Sequence, residues 1–346
     1  MKQFGFGLGL AFGLLATATP VPAPRPKAAD SDVSISEADF NDIKFFAQYA
    51  GASYCNSEAP VGSVVTCAED VCPDVTSAGA KVVATFHGDL TDVQGFVSSD
   101  DTNKLIVVSV KGSESVRNWI ADLTFLKSDC DLVDDCRVHT GFLTGYNEIE
   151  DDLLAGVAAA TAAQPSYKIV FTGHSLGGAV STVAAGYARA KGYAVDLYTY
   201  GSPRVGNAEF ADFITAQPGA EFRVTHLDDP VPRLPPLLID YRHTSPEFWL
   251  SDGTSNQTEF SVADVKVCDG NANTDCNAGT SGLDIDAHLF YFEHISGCGQ
   301  DGISFKRGVQ PSMATTKPAN ITDEELLAKV NSWAEKDRKL AAGLKM

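Results

Sequence analysis

Beyond an apolar run near its start, the chain never reaches the eighteen or so consecutive apolar residues of a membrane-spanning helix, so no transmembrane anchor is expected. No C-x-x-C pair occurs among the cysteines, which argues against a structural zinc site, and no metal or organic cofactor is implied. Positive charge is scarce. Lys and Arg number 26 against 45 Asp and Glu, for a formal net charge of −19. Such a surface disfavours nucleic acid and anionic membranes as partners. Internal repeats are also absent.

What remains is ample for a large core. The chain has 346 residues, 44% of them hydrophobic, with 30 glycines and 16 prolines. Its first residues stand apart. Lys2 supplies a short positive segment, Phe4–Leu15 an apolar run, and Ala16-Thr17-Ala18 a small-residue cleavage site, together the pattern of a secretory signal over residues 1–18. Residues 19–29 are rich in Pro and Ala and read as a pro-segment or linker. Losing Lys2, Arg25 and Lys27 would leave the remainder more acidic still. Behind such a leader, eight cysteines argue for disulfides. Nearness in sequence suggests Cys67–Cys72, Cys130–Cys136 and Cys268–Cys276. Cys55 and Cys298 are then left to close almost the whole domain.

The most informative stretch is Lys168–Arg189. An apolar run, Ile169–Phe171, leads into Gly173-His174-Ser175-Leu176-Gly177, after which small residues recur at helical spacing. A Gly-x-Ser-x-Gly string alone is unspecific. Between a strand and a helix it is the pattern of a nucleophile elbow, where the glycines leave room for a strained serine. Around it, strands are expected at Lys81–Phe86, Val93–Ser98, Leu105–Val110, Val195–Tyr200, Glu221–Leu227 and Thr258–Val267. Helices are expected at Ser34–Ser53, Thr140–Ala163, Gly206–Ala216 and Asn320–Ala342, the last capped by Thr322 or Asp323. The alternation implies an α/β fold with a mostly parallel sheet and antiparallel strands on its N-terminal side.

A serine is inert at neutral pH unless a histidine takes its proton and a carboxylate orients that histidine. In the chain order of α/β-hydrolases the acid and base follow the serine. Asp228 and Asp229 lie just after a strand, and His226, His243, His288 and His294 all follow the elbow. Chemistry alone leaves Asp228 against Asp229, and His288 against His294, undecided.

Seven ordered blocks carry a resemblance: FAQYAGASYC (Phe46–Cys55), TNKLIVVSVKGSESVRNWIADL (Thr102–Leu123), VFTGHSLGGA (Val170–Ala179), YGSPRVGN (Tyr200–Asn207), THLDDPVPRLPP (Thr225–Pro236), HTSPEFW (His243–Trp249) and AHLFYF (Ala287–Phe292). The chain resembles the secreted fungal triacylglycerol lipases of the class 3 lipase family, nearly continuously from about Val33 to Cys298. The resemblance implies an α/β-hydrolase fold over residues 30–298, with Ser175 as nucleophile, Asp229 as acid and His288 as base. It puts His226, His243 and His294 in structural roles and leaves Asp228 an exposed neighbour. The oxyanion hole would comprise Leu176, through its backbone N–H, and Ser113, steadied by Asp122. The amphipathic Ser115–Leu123 would be a lid, its apolar face made of Val116, Trp119, Ile120 and Leu123.

The activity implied is hydrolysis of long-chain triacylglycerols at an oil–water interface by a secreted monomer. Phospholipase A1 and feruloyl esterase are the nearest alternatives, and a non-catalytic lipid binder a more distant one. The tryptophan-bearing lid and Gly178 are closer to the lipases than to the feruloyl esterases. Residues 299–346 extend past the family's usual end, as a loop and a charged helix. Asn256 and Asn320 sit in N-glycosylation sequons.

Overall fold

The computed structural model describes residues 34–344 except 114, 123 and 299–320, with the side chain of Asp122 also outside the described set. The expected leader, Leu123, Asn320 and the loop after Cys298 therefore lie outside the described residues. In chain order the helices are α1 (Glu37–Asn56), α2 (Pro73–Ala78), α3 (Val116–Asp122), α4 (Thr140–Ala163), α5 (Leu176–Ala190), α6 (Ala208–Ala216), α7 (Ile285–Leu289) and α8 (Asp323–Leu344). The strands are β1 (Lys81–His87), β2 (Gln94–Asp100), β3 (Leu105–Val110), β4 (Lys127–Asp129), β5 (Arg137–His139), β6 (Lys168–His174), β7 (Val195–Tyr200), β8 (Glu221–His226), β9 (Glu247–Leu250) and β10 (Val265–Cys268).

Eight strands form one sheet in the order β1-β2-β3-β6-β7-β8-β9-β10, and β4 pairs with β5 beside it. The run from β3 to β9 is parallel, while β1, β2 and β10 pair antiparallel at the two edges. This is the α/β-hydrolase arrangement, a mostly parallel sheet flanked by helices. Both faces of the sheet are covered, so its central strands are buried along nearly their whole length. They are largely apolar in β3 and at Ile169–Phe171 of β6, with paired polar residues such as Glu221 and Arg223 in β8. Ile106, Val108, Ile169 and Phe171 point into one core layer with α4 and α5. Their neighbours Leu105, Val107 and Val170 point into the other, against α1. That period of two is the pleat itself.

Four disulfides join Cys55–Cys298, Cys67–Cys72, Cys130–Cys136 and Cys268–Cys276. The first spans 243 residues and ties the end of α1 to the segment after α7. No helix among the described residues is long and apolar enough to cross a membrane.

Two expectations need correction. Of Thr258–Val267 only the last residues are strand. Asp264 accepts from the backbone N–H and hydroxyl of Ser261, closing a 3₁₀ turn over Val262–Asp264 that competes with a ladder. The C-terminal helix begins at Asp323 rather than Asn320. Thr322 Oγ1 accepts from Glu325 N at 3.2 Å, and Glu325 accepts in return from Thr322 N at 2.8 Å, a capping box that stops the helix there.

Candidate active site

Ser175 stands between β6 and α5 with φ 56° and ψ −127°, a conformation that a non-glycine residue adopts only when its surroundings force it. The surroundings do. A Cβ on Gly177 would lie 2.1 Å from the Val110 carbonyl oxygen, and one on Gly173 would lie 2.4 Å from the Gly177 carbonyl carbon. Strand, turn and helix therefore close to backbone contact, which only glycine permits at both places. Ser175 N donates to Tyr200 O at 2.9 Å, fastening the turn to β7.

Next to Tyr200, a Cβ on Gly201 would come within 2.9 Å of both Asp229 Oδ2 and His288 Cε1. Asp229 follows β8 and is fully buried. Its carboxylate accepts from Val231 N at 2.8 Å, from His288 Nδ1 at 2.8 and 3.0 Å, and from the Tyr291 hydroxyl at 2.6 Å. With Nδ1–H directed at a carboxylate, His288 keeps its lone pair on Nε2. That Nε2 is buried and has no hydrogen-bond partner among the described residues.

Two further histidines hold the backbone of α7. His174 Nε2 donates to the His288 carbonyl at 2.9 Å, while its Nδ1 accepts from the Tyr54 hydroxyl at 2.8 Å. His226 Nδ1 donates to the Ala287 carbonyl at 3.0 Å. Burial lowers the pKa of each below the ordinary histidine value, with the nearby His288 adding to the effect at His174, so both stay neutral donors. His243 donates to Pro232 O at 2.7 Å, and His294 stacks on Phe290 with ring centroids 4.7 Å apart. Asp228 is half-buried rather than exposed, and burial raises its pKa. Its backbone carbonyl accepts from Arg233 at 3.0 Å, and Arg233 also donates to Gly282 O at 2.6 Å. Asn277 Nδ2 donates to the carbonyls of both Leu227 and Asp229 at 3.0 Å.

Tyr291, His174, Tyr54 and Asn277 were not singled out from the sequence as groups of the site. Tyr291 lies three residues after His288 in a quoted block, and that spacing at a helix end was the available signal. His174 and Tyr54 also lie in quoted blocks, but nothing local shows that they hydrogen-bond each other, and Asn277 comes from a segment that carried no signal.

Gly112 and Ser113 follow β3. A Cβ on Gly112 would fall 2.1 Å from the Tyr54 hydroxyl and 2.7 Å from the His174 carbonyl, so this loop lies directly against the elbow. Leu176 is the first residue of α5, where backbone N–H groups have no partner within the helix. Of the expected lid, Val116 and Ile120 on α3 are buried and Trp119 is partly so, all in one apolar cluster with Val231, Leu234 and Leu289. Leu123 and the Asp122 carboxylate lie outside the described residues. Ser175 retains 1% of its exposure and His288 none.

Residues 107–239 match the family model described as "Lipase (class 3)". The secreted mono- and diacylglycerol lipase 1 of Fusarium solani is 49% identical over 88% of this chain and 88% of its own. The crystal structure of a mono- and diacylglycerol lipase from Aspergillus oryzae superimposes with a TM-score of 0.72 at 41% identity, covering 76% of this chain and 99% of that one. The Rhizomucor miehei triacylglyceride lipase superimposes with a TM-score of 0.67 at 32% identity, covering 77% and 98%. With this fold, this strained serine and relatives that align along most of its length, the chain belongs to the class 3 lipase family.

Proposed function

We propose that the protein is a secreted acylglycerol lipase in which Ser175, His288 and Asp229 form the catalytic triad. The observation that carries the reading is a strained, buried serine on the elbow and a buried histidine whose ring lies 4.5 Å, centroid to centroid, from that of His174, the serine's neighbour. That histidine is oriented by Asp229 at Nδ1 and, among the described residues, unpartnered at Nε2. Ser175 Oγ attacks the ester carbonyl while its proton passes to His288 Nε2. Asp229 stabilises the imidazolium and stays ionised. The tetrahedral oxyanion is met by the Leu176 N–H and by Ser113, and each such donor contributes about 3 kcal/mol to transition-state stabilisation. His288 then protonates the departing glyceride oxygen. Water repeats the sequence on the acyl-serine, releasing the fatty acid and restoring Ser175.

Mono- and diacylglycerols are the substrates we favour, because the relative at 49% identity bears that name. Long-chain triacylglycerols are the second reading, supported by the apolar, tryptophan-bearing α3 and by the likeness to a triacylglyceride lipase. Initial rates on emulsified diolein, triolein, phosphatidylcholine and methyl ferulate, with Ser175→Ala as control, test both. Diolein should lead and Ser175→Ala should lose about 10⁶-fold in kcat. Ferulate or phosphatidylcholine in the lead would overturn the acylglycerol assignment. Unchanged turnover in Ser175→Ala would overturn the triad.

A further inference from the structure

Two of the four disulfides meet. The sulfurs of Cys55, Cys67 and Cys298 all lie within 4.8 Å of one another, so the short Cys67–Cys72 loop sits against the Cys55–Cys298 clasp. A buried side chain builds this approach. Asn56, at the end of α1, donates from Nδ2 to Thr66 O and to Ala52 O, both at 2.9 Å, and its Oδ1 accepts from Thr66 N at 3.3 Å. Asn56 follows Cys55 and Thr66 precedes Cys67, so the two bonds to Thr66 carry one cysteine to the other. All three sulfurs are oxidised, which leaves no thiolate to hold a metal ion. The chemistry open to the cluster is exchange.

Within each disulfide the two sulfurs differ in access. Cys72 and Cys298 are buried, and the Cys72 sulfur lies 3.6 Å from Thr76 Oγ1. Cys55 is exposed and Cys67 half-buried between exposed Thr66 and Ala68. The accessible sulfurs, one from each bond, are thus the pair that Asn56 holds together. A cavity of about 350 Å³, lined by Tyr54, Cys55, Gln94, Lys111 and Cys298, gives a displaced Cys298 side chain room to turn. It backs onto the candidate site, since Lys111 precedes Gly112 and the Tyr54 hydroxyl donates to His174 at 2.8 Å.

We propose that Cys55, Cys67 and Cys298 form a thiol–disulfide exchange site, at which a small dithiol converts the two native pairs into a single Cys55–Cys67 bond. The dithiol supplies two electrons, reduces one of the pairs and ends as its own cyclic disulfide. If Cys67–Cys72 is reduced, the Cys67 thiolate attacks Cys55. The Cys55–Cys67 bond forms as Cys55–Cys298 breaks, and Cys298 leaves as a thiolate that takes up a proton. If the clasp is reduced first, the Cys55 thiolate attacks Cys67 and Cys72 leaves in the same way. The exchange step itself needs no further electrons. Both routes end on the same bond, and neither depends on the role given to Ser175.

Mild treatment of the folded, full-length protein with substoichiometric dithiothreitol tests this, with acid quenching, alkylation and peptide mapping. Among chains that have lost one of the two bonds, about a tenth or more should carry Cys55–Cys67 with Cys72 and Cys298 both alkylated, the share reached when the two pairings differ by no more than about tenfold. Native pairs alone in those chains would overturn the site. So would Cys55–Cys72 or Cys67–Cys298 in equal abundance, which is the pattern of an unfolded chain.

Two variants isolate the geometry. Cys72→Ser leaves the Cys67 thiol in place without any reductant, and alkylation should then divide between Cys67 and Cys298. Alkylation at Cys67 alone would refute the exchange. Asn56→Ala keeps every cysteine but removes the bridge to Thr66, and the swapped share should fall by about fivefold or more. An unchanged share would show that the approach of the two bonds is not what drives the reaction. Should either variant fail to fold, the mapping on the unaltered chain decides.

Discussion

The floor of the site and its roof are built from different contacts. Under Ser175 the decisive approaches are backbone to backbone: Gly177 against Val110, Gly173 against Gly177, and Gly112 against the His174 carbonyl. These admit one arrangement. Above it the decisive approaches are side chain to side chain, Val116 and Ile120 against Leu326 and Val330, with a few charged bonds at the edges. Such contacts can part without disturbing a strand ladder. On the proposed function, a reacting group held to a few tenths of an ångström and a cover that must be released would place opposite demands on packing, and the two kinds of contact lie in separate layers.

The largest effect that would sharpen this comparison belongs to the floor. Asp229→Asn keeps the shape of the side chain but presents an amide where His288 Nδ1–H must be received, favouring the wrong tautomer. The expected outcome is a fall of about 10⁴ in kcat on a soluble short-chain ester, with the folded structure retained. Circular dichroism and steady-state kinetics on one preparation check it. A loss of under about tenfold would mean that His288 is oriented by something else.

Gly177→Ala comes next. The added methyl meets the Val110 carbonyl oxygen at 2.1 Å, with backbone on both sides and nothing flexible to yield. A loss of about 3 kcal/mol or more in urea unfolding is expected. Leu327→Ala, on the exposed side of the roof, should stay within about 0.5 kcal/mol. Equal losses at the two positions would erase the distinction between layers.

The third prediction concerns the joint between them. His139, at the start of α4, donates from Nε2 to Thr124 O at 2.6 Å, just past α3, and accepts from Gly141 N at 3.1 Å. Burial lowers its pKa from 6.5 to about 4. As pH falls, the unfolded chain takes up this proton before the folded one does. The stabilisation is therefore complete above pH 6.5 and is lost progressively down to about pH 4, by up to about 3 kcal/mol. His174 and His243, also lowered by burial, act in the same direction. Unfolding free energies at intervals from pH 7 to 4 should show this slope, flattened in His139→Gln. A slope identical in that variant would remove His139 from the account.

The floor was far more legible in the sequence than the roof, for physical reasons. Buried parallel strands such as β3 are nearly continuous apolar runs, and a glycine pinched between strand and helix leaves its mark within five residues, as Gly173–Gly177 does. Helix α4 was bounded correctly because alanine-rich periodicity ends at Gln164-Pro165. The roof depends on long-range pairing. Among the apolar residues at helical spacing on α8, Leu326, Val330 and Trp333 join the apolar cluster, whereas Leu327 is 36% exposed. Asp337, which a polar-outside reading would place in water, is buried on Arg204. No local pattern announces that a carboxylate will meet an arginine 133 residues away. His174 and His226 were similarly opaque, since their partners are backbone carbonyls, which every residue possesses.

The smallest predicted effect separates orientation from packing within the floor itself. Tyr291 places its hydroxyl on Asp229 Oδ2, and its ring lies 5.9 Å, centroid to centroid, from those of Tyr200, His174 and His226. Tyr291→Phe keeps that ring packing and removes one donor from a buried carboxylate that retains Val231 N and His288. A hydrogen bond to a charged group contributes about 1.5–3 kcal/mol, and His288 recovers part of it by drawing closer. The expected outcome is a fall of about tenfold in kcat with KM unchanged, because the tyrosine orients the acid and touches no substrate. If Tyr291 served packing alone, Phe would be silent in kcat. If it shaped the acyl pocket, KM would move instead. Only a change confined to kcat marks Tyr291 as a positioning residue for the Asp229–His288 pair.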